Sequence, residues 1–429
     1  MASSKRSASK SIFLNLGLFQ LLSFVRRGIF YTFMINYIYD LMGTVTFTAL
    51  LGTLDMVASA LGQNLLWGKI SDKHKLRAKL IIAGESIAAG TYLLVYFVHR
   101  SLLNFQAFFT AGALLIIGLS MLEFFWSMSD VGWAALLADV TTSKTRGKII
   151  GSLNFIASLG RMIGINFAGL LYQNGEGFRQ GTLFYIVTAM LTTSAFLMWV
   201  VSRQTEKALP KIEKNSASEA TLKRKASKHD SKTYMWFLAT LVIIIIGVAC
   251  INQIFLLFIR LPDGLKANDQ EASFILTMWT VGGMLASLFS GVLADRIGRA
   301  KTLFIGLLLA IVTPLAYGVA SNVFTIAVFY GLNGASFWTI QTVGFSFAAD
   351  LIPEDRRGRL FSVYNTVIAL SWGPAGLLVG GPIADIQTHF FGFSSRNAYV
   401  NAFYVSSIIV TAGTLLFLVK VAKRRTRMA

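Results

Sequence analysis

Cysteine is almost missing from this chain. There is one in 429 residues, Cys250, and it sits inside an apolar run. That excludes a disulfide framework and a thiolate metal site. Histidine is nearly as scarce, at four. None falls inside the apolar runs as their ends are placed below, so a histidine proton relay is not expected and neither His nor Cys supplies a metal cluster at cavity depth. Charged residues make up only 14% of the chain, too few to coat the two or three soluble domains that this length would otherwise suggest. No glycine-rich loop capable of cradling a nucleotide phosphate is present. Nor is there an Asn-x-Ser/Thr sequon, and no cleavable signal peptide is expected, which fits a prokaryotic cell membrane.

What fills the chain instead is apolar sequence, 55% of all residues. Runs of 20 or so apolar residues recur from end to end, each long enough to cross a hydrocarbon core of roughly 30 Å as a helix. A barrel is the other structure that satisfies its backbone in lipid, but its strands alternate in and out, and these runs do not. The expectation is an all-α membrane protein.

The formal charge of +19 raises the question of nucleic acid, and its placement answers it. About 31 of the 39 Lys and Arg fall in the two ends and in every second loop, and about five in the other loops, which is the positive-inside pattern. Both termini and the central loop are therefore expected in the cytoplasm, and nucleic-acid binding is not. The partner of this chain is the lipid bilayer.

Six spans are placed at 12–39, 44–67, 78–98, 106–138, 148–173 and 181–202, and six more at 234–260, 271–294, 301–320, 323–349, 358–386 and 397–420. The fourth run is too long for an upright crossing and implies tilt or an extension. The corresponding domains are a tail at 1–11, a bundle at 12–202, a polar aperiodic linker at 203–233, a second bundle at 234–420 and a basic tail at 421–429.

Two motifs occur twice. Gly291-Val-Leu-Ala-Asp295-Arg296-Ile-Gly298-Arg299 joins spans eight and nine, and Gly68-Lys-Ile-Ser-Asp72-Lys73-His-Lys75-Leu-Arg77 joins spans two and three. Asp139 is followed seven residues on by Arg146, and Asp350 likewise by Arg357, an offset of 211 between the copies. Duplication in register means an internal repeat. These residues resemble the loop signature of the major facilitator superfamily of secondary transporters, G-x-x-x-D-(R/K)-x-G-(R/K)-(R/K). The second copy departs at Ala300, and the first has Lys75 in the glycine position and Leu76 in that of a base. The resemblance implies two pseudo-symmetric six-helix bundles with a cavity between them, alternating access, and a monomer that needs no cofactor. It also implies that Asp72 acts near Arg357, and Asp295 near Arg146, as gates. Gly68 and Gly291 are expected to end their spans, and the competing reading is that both aspartates merely cap their own loops. The weaker copy lies in the half that carries buried charge, so Asp72 is expected to couple to protonation and Asp295 to be mainly structural.

Ionisable residues inside the spans are costly, at least about 2.5–3.5 kcal/mol each on insertion scales, and must be paired or wet. They cluster in the first half: Arg26, Arg27, Asp55, Glu85, Glu123, Asp130 and Arg161. Helix rise puts Asp130 roughly 14 Å, Asp55 roughly 20 Å, and Arg26 and Arg161 roughly 21 Å from the basic ends of their spans, one central slab. Glu85, roughly 10 Å in, is assigned to the cytoplasmic side. Either these groups are static ion pairs, or a carboxylate releases its arginine and takes a proton during a cycle. Burial disfavours a charged carboxylate and a nearby arginine favours it, so a partner gained and lost is a proton switch. Asp55 and Asp130 lead the candidates and Glu123 follows.

Candidate cavity residues are Trp126 and Trp133, which share a face with Glu123 and Asp130; Asn154 on a polar stripe with Ser158 and Arg161; and, in the second half, Asn252, Trp279, Trp338, Gln341, Asn365 and Trp372. Many of these aromatics would pack or face lipid in any membrane protein. The antiporter branch has a proline in its span-five glycine motif, whereas here Ile165 follows Gly164. The composite expectation is a proton-coupled secondary transporter of a small organic solute, not an enzyme. Efflux of amphipathic compounds is favoured, because acids and aromatics on span four suit a lipophilic cation. Uptake of a sugar, nucleoside or organic anion on the arginines, or a non-transporting sensor, remains open.

Overall fold

The computed structural model describes residues 2–74, 76–141, 143–208, 228–352 and 357–422. Side chains at 2–11, 72, 138, 143–148, 205–208, 228–231 and 357–359 also lie outside the described residues, as do most of the expected linker and the last basic tail. Among the described residues there is no strand, and twelve helices are long and apolar enough to cross a membrane. In order they are Ile12–Met42, Val45–Ser71, Arg77–Asn104, Phe108–Leu137, Ile149–Leu171, Thr182–Gln204, Lys232–Arg260, Asp269–Ile297, Arg299–Tyr317, Val323–Leu351, Leu360–His389 and Ser395–Ala422. We call them spans one to twelve. A helix satisfies every backbone group within itself, which is why apolar runs of this length adopt it in lipid.

The chain packs as two units, Met1–Met42 with Leu54–Ala220, and Gly43–Thr53 with Thr221–Ala429. The opening stretch of span two thus groups with the second unit rather than with its neighbours in sequence.

In the first unit, span one packs on spans five and six, and span three on spans four and six. Lipid tails are as apolar as leucine, so the drive for these contacts is close fit rather than removal of apolar surface from water. Gly28 and Gly164 allow that fit. A Cβ on Gly28 would lie 2.8 Å from the Arg161 carbonyl oxygen and from the Gly164 Cα. The same contact shows that Gly28 and Arg161 stand at one level. Farther along, Phe30 meets Tyr92, Phe178 and Phe184 edge to face at centroid distances of 4.6–5.4 Å, the geometry that aromatic quadrupoles favour.

In the second unit, span eight packs on span ten, and span seven on span twelve, around a core of Phe237, Leu307, Phe347, Val410 and Phe417. Span one is interrupted between helices Ala2–Tyr31 and Met34–Met42, and span seven between Lys228–Ala249 and Asn252–Arg260. The interruptions fall at corresponding places of the two halves and expose carbonyls that an unbroken helix would use. Gly380 on span eleven sits against one of them, since a Cβ there would collide with the Cys250 carbonyl. Span eleven itself bends after Trp372 at Gly373-Pro374, where the proline removes a backbone donor, and resumes through a wide turn at Gly376–Gly380.

Two expectations are corrected here. Gly68 and Gly291 do not end their spans: helix continues from Gly68 to His74, and from Asp269 through Gly291 to Ile297. A Cβ on Gly291 would meet no described atom within 4 Å, so no close packing requires that glycine. His99 also proves to be interior. Span three runs on to Asn104, and His99 is fully buried, its Nε2 2.7 Å from the Tyr37 hydroxyl. The apolar run ended one residue short of it, because composition marks where polarity begins and not where the helix stops.

Candidate functional site

Four spans of the first unit converge on a cluster of charge. Arg26 on span one is 2% exposed and donates from Nη1 to the Tyr92 hydroxyl of span three at 3.2 Å. Its neighbour Arg27 reaches Asp130 of span four at 4.0 Å, and both side chains are about two-fifths exposed. The guanidinium carbons of Arg26 and Arg27 lie 4.7 and 4.1 Å from the centroid of the Trp126 ring, within cation–π range. Asp55 on span two accepts from Ser120 Oγ at 2.9 Å. Glu123 carries no hydrogen bond to a described residue, but it lies in the field of Arg27, Asp130, Arg26 and Glu85.

Glu85 is the residue that sequence reasoning misplaced. It is fully buried at the heart of this cluster, where its Oε1 accepts from Trp126 Nε1 at 2.7 Å and from Ser129 Oγ at 2.8 Å. Among the described residues its other oxygen has no hydrogen-bond partner, and neither does Arg26 Nε. Depth counted along one helix ignores how two helices slide past each other. The signal that fixes the slide is Gly84: a Cβ there would sit 3.0 Å from the Ser129 backbone nitrogen, so span three closes onto span four beside Asp130. Arg161 is at the expected level but on an exposed face of span five, as is Asn154. Ser158 donates back to the Asn154 carbonyl at 3.1 Å.

Beside the cluster lies a cavity of about 140 Å³, walled by Phe19, Phe24, Trp126 and Trp133 and floored by Arg27 and Asp130. Two predicted aromatics, Trp126 and Trp133, therefore do line a pocket. In the second unit Phe337, half-buried, gathers Trp279, Trp338 and Trp372 at centroid distances of 5.4, 5.8 and 4.7 Å. Asn252 opens the helix after the break in span seven. Gln341 is half-buried and Asn365 exposed.

At the basic ends the duplicated motifs meet within each unit. Arg77 donates from Nε to Asp139 at 3.0 Å, and from Nη1 to the Ser71 carbonyl and hydroxyl at 2.8 and 3.0 Å. Arg299 pairs likewise with Asp350 in the second unit, and its further bond is to the Ser346 carbonyl on the span that carries Asp350. Arg77 thus takes the part of Arg299 one place later in its motif, and makes good the base missing at Leu76. Gly298, at φ +93°, is the turn residue between spans eight and nine, a conformation in which glycine alone is unstrained. Lys73, Asp295 and Arg296 are exposed. Neither expected gate contact can be followed, since the Asp72, Arg146 and Arg357 side chains lie outside the described residues.

The family model of the Major Facilitator Superfamily matches residues 16–265 and 241–428. The chain belongs to that superfamily. Among relatives, it is 25% identical over 273 residues to multidrug resistance protein 1 of Bacillus subtilis, covering 60% of this chain and 64% of that one. It is 24% identical over 324 residues to a multi-drug resistance efflux pump PmrA homolog of Lactococcus lactis, covering 74% of each. Among solved structures, the nucleoside transporter NupG superposes with a TM-score of 0.68 at 15% identity over 95% of this chain and 99% of that one. A bacterial homologue of the iron transporter ferroportin, in its inward-facing state, gives 0.65 at 13% identity over 96% of this chain and 98% of that one. At such identities the structures show the fold alone.

As a superfamily member this chain is unequal in its halves. Asp55, Glu85, Glu123 and Asp130 stand against Arg26 and Arg27 in the first unit, and the aromatic group of the second unit carries no charge. Spacing pointed to three of the four acids. The fourth needed the helix register.

Proposed function

We propose that this chain is a proton-coupled secondary transporter that moves amphipathic organic compounds bearing a basic group out of the cell by alternating access, with both termini in the cytoplasm. One observation carries the reading. Four carboxyls, Asp55, Glu85, Glu123 and Asp130, gather with Arg26 and Arg27 within the membrane spans of the first unit, so acids outnumber bases in that cluster, in a region where unpaired charge is expensive. Protons on the carboxyls, or the positive group of a solute, reduce that excess. A solute that replaces protons at such a site is exchanged for them, which is the chemistry of antiport. The multidrug names of the two relatives accord with it.

In this reading Asp55 and Asp130 take and release protons, with Glu123 and Glu85 sharing the load, while Arg26 stays fixed. Arg77–Asp139 and Arg299–Asp350 hold the basic ends, and Asp72 and Asp295 act as gates. The test is uptake of ethidium, a lipophilic cation, by proteoliposomes under an imposed pH gradient. Accumulation that collapses with a protonophore supports the proposal. Accumulation independent of the gradient in the wild type, or left unchanged in both Asp55→Asn and Asp130→Asn, removes it.

A further inference from the structure

The cavity beside the charge cluster has a lining that a simple cation does not need. Both members of the Arg27–Asp130 pair face it, they are about two-fifths exposed, and their nearest approach is 4.0 Å. A charge-assisted hydrogen bond closes to about 2.7–2.9 Å, so the pair is loose. Arg27 is held over Trp126 at 4.1 Å, and Gln63 Nε2 stands 3.5 Å from Asp130 Oδ2. The two charges are kept apart, each fixed by something other than its partner.

We propose that this cavity is the subsite for a zwitterionic head group carried on a single aromatic ring, with a ligand ammonium on Asp130 and a ligand carboxylate on Arg27. The inference rests on the transporter reading above and narrows its substrate class. Three features specify the ligand. The first is charge. A zwitterion can replace the loose 4.0 Å contact by two closer ones, whereas a singly charged ligand engages only one member of the pair. The second is size. A volume of about 140 Å³ is close to the roughly 150 Å³ of an engineered cavity that accepts benzene, so one ring fits within it. The third is the wall. Phe19 and Trp133, with centroids 5.0 Å apart, form an aromatic side on which a ring can stack. Ser23, 5% exposed, also lines the cavity.

The experiment uses three probes that share a phenyl ring and differ in charge: phenylalanine, 2-phenylethylamine and 3-phenylpropionate. Binding to the purified full-length protein is read from quenching of tryptophan fluorescence. Phenylalanine is expected to bind at least tenfold more tightly than either singly charged analogue. Asp130→Asn should bring it within threefold of 3-phenylpropionate, and Arg27→Gln within threefold of 2-phenylethylamine. The comparison on the unaltered protein needs no variant, so misfolding of either substitution cannot obscure it. Equal binding of phenylalanine and 2-phenylethylamine, or no binding of any probe, overturns the zwitterion subsite. Ethidium flux under a pH gradient, measured on the same preparation, reports separately on the transporter reading. If flux persists while the probe preference is absent, only the subsite falls.

Discussion

Replacing Arg26 with methionine is the sharpest perturbation of the charge cluster, because it removes a positive charge while keeping most of the volume. Arg26 is 2% exposed, and Glu85, fully buried, lies within its field. Without Arg26, the cluster keeps Arg27 but loses the guanidinium whose field reaches Glu85. Glu85 keeps the two hydrogen bonds to Trp126 and Ser129 on one oxygen, and among the described residues the other oxygen stays without a hydrogen-bond partner. Arg26 acts on Glu85 through its field and not as a direct ion pair, so the cost should stay below the about 3–5 kcal/mol of a buried pair broken from one side. Adding Glu85→Gln removes the stranded charge and should recover about 2–3 kcal/mol, a coupling at the upper end of what neighbouring residues show. The sign with pH follows directly. Protonation of Glu85 neutralises the stranded charge, so acidification stabilises Arg26→Met relative to wild type, and the defect grows as pH rises. Denaturant unfolding of the purified single and double variants between pH 5 and 8 measures all of this. Strictly additive effects, or a defect below about 1 kcal/mol that does not change with pH, would refute the argument that these two groups compensate each other.

Other outcomes follow from the same structure. Arg77→Ala and Arg299→Ala each break a partly exposed ion pair, so melting should change by no more than about 1 kcal/mol of stability while ethidium flux falls by an order of magnitude or more; equal loss of both properties would make these pairs merely structural. Gly380→Ala places a methyl on the Cys250 carbonyl and should abolish recovery of folded protein, whereas Gly291→Ala should be tolerated and gain up to about 1 kcal/mol of helix propensity, as judged by yield and melting in detergent. Asp385 accepts from the backbone nitrogens of Val45 and Thr46 at 2.9 and 2.8 Å and caps the helix that starts there. Asp385→Ala should therefore cost about 1–2 kcal/mol in the same melting assay and Asp385→Asn part of that, because asparagine keeps only one of the two accepting oxygens; variants indistinguishable from wild type would mean that the cap contributes nothing.

Much of this was legible in the chain itself. Apolar runs longer than a bilayer is thick can only be helices, so the twelve spans follow from length and composition, and duplicated Asp139 and Asp350 give the repeat. What stayed hidden is what depends on how helices are set against one another. Glu85 could not be placed from its own helix, because its level relative to Asp130 is set by the closeness of Gly84 to Ser129. Arg77 stands at the last base of its motif, and only its bonds to Asp139 and Ser71 show it filling the role of Arg299. The Asp385 cap on span two joins residues 340 apart in sequence, and nothing local in either stretch announces the other. Arg161 teaches the converse: its level was right, and rotation about the helix axis set it on an exposed face.

The central claim is that the surplus carboxyls carry protons in exchange for solute. It is tested most directly by loading proteoliposomes with ethidium and a pH-sensitive dye, diluting them into ethidium-free buffer, and following internal pH with no gradient imposed at the start. The account predicts that outward movement of the cation draws protons inward, so that the interior acidifies in wild type and fails to do so in Asp55→Asn/Asp130→Asn. Ethidium leaving through the wild-type protein with no change in internal pH would contradict it.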